Sequence, residues 1–224
     1  MEKIFIKQGY FGIFLFVSFN FFAIYFYPGG TIIDSTTDGY LFFYNFFSNL
    51  GEWVAKNGED NSFSAYLFNS SLIVLAVSYG LFYFMFLKIQ FRISEKYFIK
   101  IALIITIGLS LLSFILVAVF PSEGPTFNLH IFFVKAAFRL LLIHCLIQVY
   151  NLFQNSVFGS SIKIISVIFS TALFIFILVM EFGPNPFEDN RSLLIQVTAQ
   201  KLVVFSIILY FYFQVREALK VRNY

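Results

Sequence analysis

The sequence predicts an all-α integral membrane protein, a single domain over residues 1–224 that forms a bundle of six transmembrane helices. Three observations predict this fold class. Hydrophobic residues make up 59% of the chain, and Phe alone occurs 35 times. Charged residues make up 12%, against about a quarter in soluble domains. So many phenylalanines exceed what one soluble core would need, which indicates a membrane protein, and the single cysteine excludes a disulfide framework.

Six apolar stretches are long enough to cross about 30 Å of hydrocarbon, which takes roughly 20 helical residues. Lipid offers no hydrogen-bond partners to bare backbone, so we expect each stretch to be an α-helix. Gly80, Gly108 and Ser78 are expected to allow close helix approach. The predicted spans are Gly9–Tyr27, Phe63–Leu87, Phe98–Phe120, His130–Leu152, Ile162–Met180 and Ser192–Phe213.

The basic residues predict the orientation of these spans. With the N-terminus in the cytoplasm, ten basic residues fall in inner segments and two, Lys56 and Arg191, in outer segments. This positive-inside asymmetry places both termini in the cytoplasm and the chain in the cytoplasmic (inner) membrane. The small net charge of +3 gives no indication of a nucleic-acid partner. The inner residues are Lys3, Lys7, Lys88, Arg92, Lys96, Lys100, Lys163, Arg216, Lys220 and Arg222.

The first outer loop, residues 28–62, is predicted to cap the bundle. Pro28-Gly29-Gly30 ends the first span, because neither residue type continues a helix easily. The run Tyr40–Leu50 is apolar nearly all round, so we expect an interfacial helix that lies at the membrane surface or dips between the spans. Its predicted ends are Thr36, Thr37 or Asp38 before it and Gly51 after it.

Polar residues interrupt the apolar run at helical spacing. Asn45, Ser48 and Asn49 are three and four residues apart, which places them on one face of a helix. That face either lines a cavity or makes ordinary capping and packing hydrogen bonds. Asn20, within the first span, also needs a partner and is expected to face the inside of the bundle.

Three cations lie within the predicted spans, although no Asp or Glu lies deep in any of them. Arg139 and Lys201 are each roughly 13 Å into their spans at 1.5 Å per residue. Lys135 shares a helix face with Arg139, four residues later. A lone charge at such depth costs roughly 2.5–3.5 kcal/mol on insertion scales. These side chains therefore require partners.

Three kinds of partner remain open for the cations. They can snorkel to the headgroups, bond to carbonyls and to loop acids such as Asp34 or Asp38, or line a water-filled cavity that takes an anionic group. In the third case we expect Arg139 and Lys201 to approach each other and share the anion. The predicted ligand-binding residues are Arg139, Lys135, Lys201, Gln200, Asn45, Ser48, Asn49 and His130.

The histidines and the cysteine form no catalytic or metal-binding pattern. His130 and His144 lie about 20 Å apart along one helix, so they cannot hold one metal. His144 and Cys145 point about 100° apart around the axis, so we interpret them as packing residues. Without an HxxxH or HExxH motif, the sequence predicts no metal and no cofactor.

Several short motifs occur together at the predicted outer junctions. Tyr27-Pro28-Gly29-Gly30 is followed by Asn45 and by Ser48-Asn49-Leu50-Gly51, and Phe120-Pro121-Ser122-Glu123 precedes His130. This set resembles a six-span membrane family of bacteria and archaea that is of unknown function and is distantly grouped with the Frag/DRAM/Sfk membrane proteins. The resemblance implies a six-span membrane fold and supplies no reaction. Asn49 stands where the family usually has aspartate.

These patterns lead to three function hypotheses. The first is binding, sensing or moving an amphipathic anion, a membrane lipid above all, in an outward-facing cavity lined by cations. An acid-free membrane interior favours it over general acid–base chemistry. The second is an intramembrane lipid hydrolase or transferase that uses His130 and outer-loop acids. The third is a structural subunit whose buried cations pair with acids of a membrane-protein partner.

The orientation is testable by cysteine labelling in intact cells. A membrane-impermeant maleimide should label Lys56→Cys and Asp189→Cys but not Lys96→Cys, because only the first two positions are predicted to face outward. The reverse labelling pattern would overturn the orientation.

Overall fold

The computed structural model describes residues 2–91 and 96–221, which form six long α-helices. Each helix is long and apolar enough to cross a membrane, so the chain is a multi-pass integral membrane protein, as predicted. Every predicted span lies within a helix or passes its end by one residue. Arg92 and Arg222, used in the orientation prediction, lie outside the described residues. The helices are α1 (Glu2–Phe26), α2 (Ser62–Gln90), α3 (Tyr97–Val119), α4 (Phe127–Phe153), α5 (Ser160–Phe182) and α6 (Asn190–Val221).

The six helices form a closed ring. Each packs against its neighbours in sequence, and α6 returns to pack against α1. The α1–α2 and α3–α4 pairs make the most extensive contacts. Consecutive spans cross the membrane in opposite directions, so the α1–α2, α3–α4 and α5–α6 connections lie at the same end of the bundle.

The end of the bundle with the α1–α2 connection carries most of the non-helical structure. We call residues 27–61 the cap. A second loop at this end joins α3 to α4, and its Glu123 carboxylate accepts hydrogen bonds from the backbone N–H groups of Trp53 and Val54 at 3.0 and 3.3 Å. The cap is therefore attached to the bundle by loop contacts as well as by its two ends.

The predicted helix over Tyr40–Leu50 is wrong for most of its length. The chain turns at residues 42–44, and only a 3₁₀-helix, Phe47–Gly51, follows. One reason is that the Asn49 side-chain oxygen takes the N–H of Phe46, which an α-helix would direct to the carbonyl of Phe42. The Asn45 side-chain oxygen accepts from the N–H of Leu41 at 2.9 Å, and Asn49 caps the 3₁₀-helix in the same way. Such side-chain bonds compete with helix formation.

The predicted start of that helix is wrong for a related reason. Asp38 forms an isolated β-bridge with Gly29 instead of a helix cap. Thr36 donates its N–H to the side chain of Asp34 at 2.9 Å, and the Thr37 hydroxyl lies 3.4 Å from the carbonyl oxygen of Asp34. Residues 34–38 are thus a tight local turn.

Polar side chains join α2 to α4 at the end opposite the cap. The Tyr83 hydroxyl donates to the Gln148 side-chain oxygen at 2.6 Å, and the Gln148 amide donates to Gln90 at 3.0 Å. Asn151 donates to the same Gln90 oxygen at 2.7 Å. All four side chains are buried. Their polar groups therefore bond to one another, because lipid offers no hydrogen-bond partners.

The closest helix contact joins α1 to α2. A methyl group at Gly12 would overlap the hydroxyl of Ser78. The prediction that Ser78 allows a neighbouring helix to approach closely is therefore confirmed. Gly80 meets only Leu111, at an ordinary 3.5 Å, and Gly108 would have no atom within 4 Å of an added methyl group. The prediction for Gly108 is wrong, because this glycine lies on an exposed face of α3.

Asn20 of α1 faces the inside of the bundle, as predicted. Asn20 is buried and donates to the Ser71 hydroxyl of α2 at 2.9 Å. Its second donor bond, at 2.8 Å, goes to the backbone carbonyl of Phe16.

The α1–α2 contact predicts different outcomes for two similar substitutions. Gly12→Ala should destabilise the detergent-solubilised protein by roughly 1–3 kcal/mol, because the added methyl group forces the helices apart. Gly108→Ala should leave the thermal unfolding temperature unchanged or slightly higher, because alanine favours helix and meets no neighbour. Equal unfolding temperatures for the two variants would contradict the close approach of α1 and α2 at Gly12.

Candidate functional site

A cavity of about 330 Å³ lies between the cap and the ends of α4, α5 and α6. We call it the cap cavity. Apolar side chains from the spans, including Val134, Phe176 and Met180, line part of its wall. Most of the wall is apolar, and nine polar residues of the described chain lie along it. The polar residues are Ser48, Asn49, Glu52, Lys56, Ser122, His130, Lys135, Gln196 and Gln200.

The roof of the cap cavity is held by two neighbouring residues of α6. The Lys201 ammonium donates to the hydroxyl of Tyr40 and, at 2.9 Å, to the backbone carbonyl of Asn45. It also lies 3.6 Å from the centre of the Phe47 ring. The side-chain oxygen of Gln200 accepts from the N–H of Phe47 at 2.7 Å. Carbonyl, hydroxyl and aromatic ring thus satisfy a lysine that is only 2% exposed.

The electrostatics of the roof depend on a neutral phenol. Burial raises the pKa of Tyr40 well above its ordinary value, so the Tyr40 hydroxyl stays protonated and accepts from Lys201. The loop acids do not reach this lysine. Asp34 and Asp38 are exposed, and the hydrogen bonds from Thr36 hold the pKa of Asp34 below its ordinary value.

The other two span cations share one carboxylate. Glu181, near the end of α5, lies 2.6 Å from Arg139 and 3.1 Å from Lys135. The prediction that Arg139 and Lys201 share a partner is therefore wrong, because each has its own. Arg139 is 55% exposed in its side chain and points away from the bundle interior, whereas Lys135 lines the cap cavity.

Glu52 is a site residue that the sequence analysis missed. It is 1% exposed, and one carboxylate oxygen accepts from the Ser122 hydroxyl at 2.6 Å and from the Asn49 amide at 2.9 Å. The other oxygen lies 2.8 Å from the Lys56 ammonium. Burial raises the pKa of Glu52, and these three partners offset part of that rise. The spacing of Glu52 and Lys56, four residues apart, is the signal that could have identified the pair.

His130 lines the same cavity with a defined tautomer. Its Nδ1 lies 2.7 Å from the carbonyl oxygen of Phe120. Since a carbonyl only accepts, Nδ1 carries the proton in the neutral ring and Nε2 is the acceptor nitrogen. His130 is 3% exposed, so the ring is fixed between α3 and α4.

The cap cavity brings together most of the predicted ligand-binding residues. Asn45 and Lys201 lie above it, where they hold the roof, and Arg139 lies outside it. Asn45 also donates to the carbonyl of Gly30 at 2.7 Å, so it belongs to the interior of the cap. The predicted residues on the cavity wall are Lys135, Gln200, Ser48, Asn49 and His130.

The remaining histidine and the cysteine are packing residues, as predicted. His144 and Cys145 are each 1% exposed. His144 packs edge-on against Tyr83 at 4.8 Å and lies 3.2 Å from the Thr106 hydroxyl. Within residues 2–91 and 96–221, no group of three His, Cys, Asp or Glu residues could hold a metal ion.

The chain matches no protein-family model, no curated protein and no solved structure. Conclusions about its function therefore rest on the cavity and on the residues that form it. Its wall carries both hydrogen-bonding and apolar side chains, a combination common in small-molecule sites.

The roof contact predicts that Lys201→Met loosens the cap. Methionine keeps most of the apolar stem but cannot donate to Tyr40 or Asn45. Hydrogen exchange of the backbone amides in residues 40–47 should accelerate about tenfold, since each of the two lost hydrogen bonds contributes about 0.5–1.5 kcal/mol. Lys163→Met on α5, far from the cap, is the matched control. Unchanged exchange in Lys201→Met would show that the lysine does not hold the roof.

Proposed function

We propose that the protein binds an amphipathic anion of the membrane-lipid class in the cap cavity, at the outer face of the cytoplasmic membrane. The distribution of basic residues supports this orientation. The two outer cations of the prediction, Lys56 and Arg191, lie at the cap end of the bundle, while lysines such as Lys3, Lys100 and Lys163 lie at the opposite end.

An excess positive charge beside the cavity is the observation that carries the proposal. Lys135 and Arg139 share the single carboxylate of Glu181, so this cluster has one positive charge more than it neutralises. The Lys135 ammonium has three donors, and Glu181 accepts from one of them. The others are available to an anionic group in the cavity.

Neutral donors lie on the same wall as Lys135. Gln200 uses its side-chain oxygen to hold the cap, which leaves its amide N–H groups for a bound anion. Ser48 adds a hydroxyl to the wall. A phosphate or carboxylate group can accept from several such donors at once.

The apolar wall suits the remainder of an amphipathic molecule. Val134, Phe176 and Met180 belong to helices that cross the membrane. This apolar part of the wall therefore extends along the spans, parallel to lipid acyl chains. A lipid with its headgroup at Lys135 would place its first methylene groups here. A free inorganic anion would leave this wall unused.

A second function is favoured by the presence of Glu52 and His130 on the wall of one cavity. Glu52 is a buried carboxylate with a raised pKa, and His130 has an acceptor nitrogen fixed by its contact with Phe120. Such a pair is suited to general acid–base chemistry, as in a lipid hydrolase or transferase. Among the described residues, Glu52 is the one acid on the wall of this cavity.

The hypothesis of a structural subunit has less support. It depends on buried cations that need acids from a partner protein. In the described chain Lys201 bonds to the cap, and Lys135 and Arg139 both bond to Glu181, so each of these cations already has a partner within the chain.

The proposal predicts a lipid-dependent stability that requires Lys135. Phosphatidylglycerol should raise the thermal unfolding temperature of the detergent-solubilised protein more than phosphatidylcholine does. Lys135→Gln should lose most of this difference, because one charge-assisted bond contributes about 1.5–3 kcal/mol, or roughly tenfold or more in affinity. Arg139 would still pair with Glu181, so the variant should fold.

Lys163→Gln, which removes a lysine at the opposite end, should respond to phosphatidylglycerol like the wild type. Equal stabilisation of wild type and Lys135→Gln would refute binding at the cap cavity. Mass spectrometry of the lipid after incubation separates the two functions. Recovery of intact lipid supports binding, whereas cleavage that is lost in Glu52→Gln would establish the enzyme.

A further inference from the structure

A second cavity, of about 90 Å³, lies in the middle of the helix ring. We call it the central cavity. All six helices contribute to its wall. The six representative residues, one from each helix in order, are Phe16, Ala76, Leu111, Phe138, Phe169 and Val204.

The wall of the central cavity offers no polar partner. Tyr79 and Tyr210 reach it, but their hydroxyls are engaged elsewhere. Tyr79 donates to Gln214 at 2.9 Å, and the Tyr210 hydroxyl lies 3.1 Å from that of Ser166. A buried water needs two to four hydrogen-bond partners, so this cavity is suited to hydrocarbon.

One aromatic pair joins the wall of the central cavity to the wall of the cap cavity. Phe176 lines the cap cavity, and Phe138 lines the central cavity. Their ring centres are 4.7 Å apart, with the planes inclined by 63°. Rotation of these two side chains would connect the apolar wall of the first cavity to the second.

We infer that the central cavity receives the end of an alkyl chain whose anionic headgroup occupies the cap cavity. This inference rests on the proposed function and specifies its ligand as a long-chain amphiphile. A cavity of about 150 Å³ holds benzene, so about 90 Å³ has room for roughly three or four carbon atoms. The chain would run from Lys135, along Val134 and Phe176, past Phe138 and into the ring of helices.

The inference is tested with butyl, octyl and dodecyl phosphate as probes on the full-length protein in detergent. Each buried methylene should raise affinity about fourfold, so the longer phosphates should bind more tightly. Ala76→Leu fills the central cavity from α2. It should remove the gain of dodecyl over octyl phosphate and leave butyl phosphate binding as in the wild type.

Gly108→Leu is the matched control, since it adds a side chain on an exposed face of α3, where an added methyl group meets nothing. It should keep the full chain-length dependence. Partition of the probes into micelles is the same for every variant. Differences in affinity between variants therefore measure binding of the alkyl chain in the central cavity. Leu111→Phe fills the cavity from α3 and replaces Ala76→Leu if that variant does not fold.

The outcomes distinguish the inference from the function on which it rests. If butyl phosphate binds and Lys135→Gln weakens it, but the filled variants still prefer dodecyl phosphate as the wild type does, the chain site is refuted and the headgroup site stands. If no alkyl phosphate binding depends on Lys135, the proposed function itself fails.

Discussion

The contact between Lys201 and the cap is the interaction on which the cap cavity depends. A lysine inside a membrane span is costly unless its ammonium is solvated by the protein. Tyr40, Asn45 and Phe47 supply a hydroxyl, a carbonyl and a ring face, and in return they are fixed above α6. The cap has only a small apolar core of its own, which it shares with α1 and α2. Its position therefore comes from the bundle, and the cavity exists because that position is held.

The two ends of the bundle differ in how they use polar residues. Opposite the cap, Gln90, Gln148 and Asn151 bond to one another in the packed interior and join α2 to α4 directly. At the cap end, polar residues such as Gln200 bond to the cap, and the helices enclose a space. The end opposite the cap is thus packed around buried polar side chains, while the other end is covered by a loop segment.

The charges are arranged in two clusters of unequal net charge. Glu52 and Lys56 neutralise each other within the cap, whereas Glu181 serves two cations. The cluster of Glu181 with Lys135 and Arg139 therefore keeps a net positive charge. It borders apolar side chains that extend toward the central cavity. Polar and apolar parts of one site follow each other along the direction of the helices. An amphipathic anion matches that order, with its charge at the membrane surface and its chain among the spans.

The sequence alone determined the six spans, because the length of an apolar run and the need to pair every backbone group are local properties. It also predicted five wall residues of the cap cavity, because membrane polar residues must have partners. It did not predict that Arg139 and Lys201, which have the same predicted depth, face different partners. The rotation of each helix about its axis decides this, and packing sets that rotation. Nor did the sequence single out Glu52, whose partner Ser122 is 70 residues away. Only the tertiary structure decided the partners of Arg139, Lys201 and Glu52, since these partners depend on which side chains meet when distant segments pack.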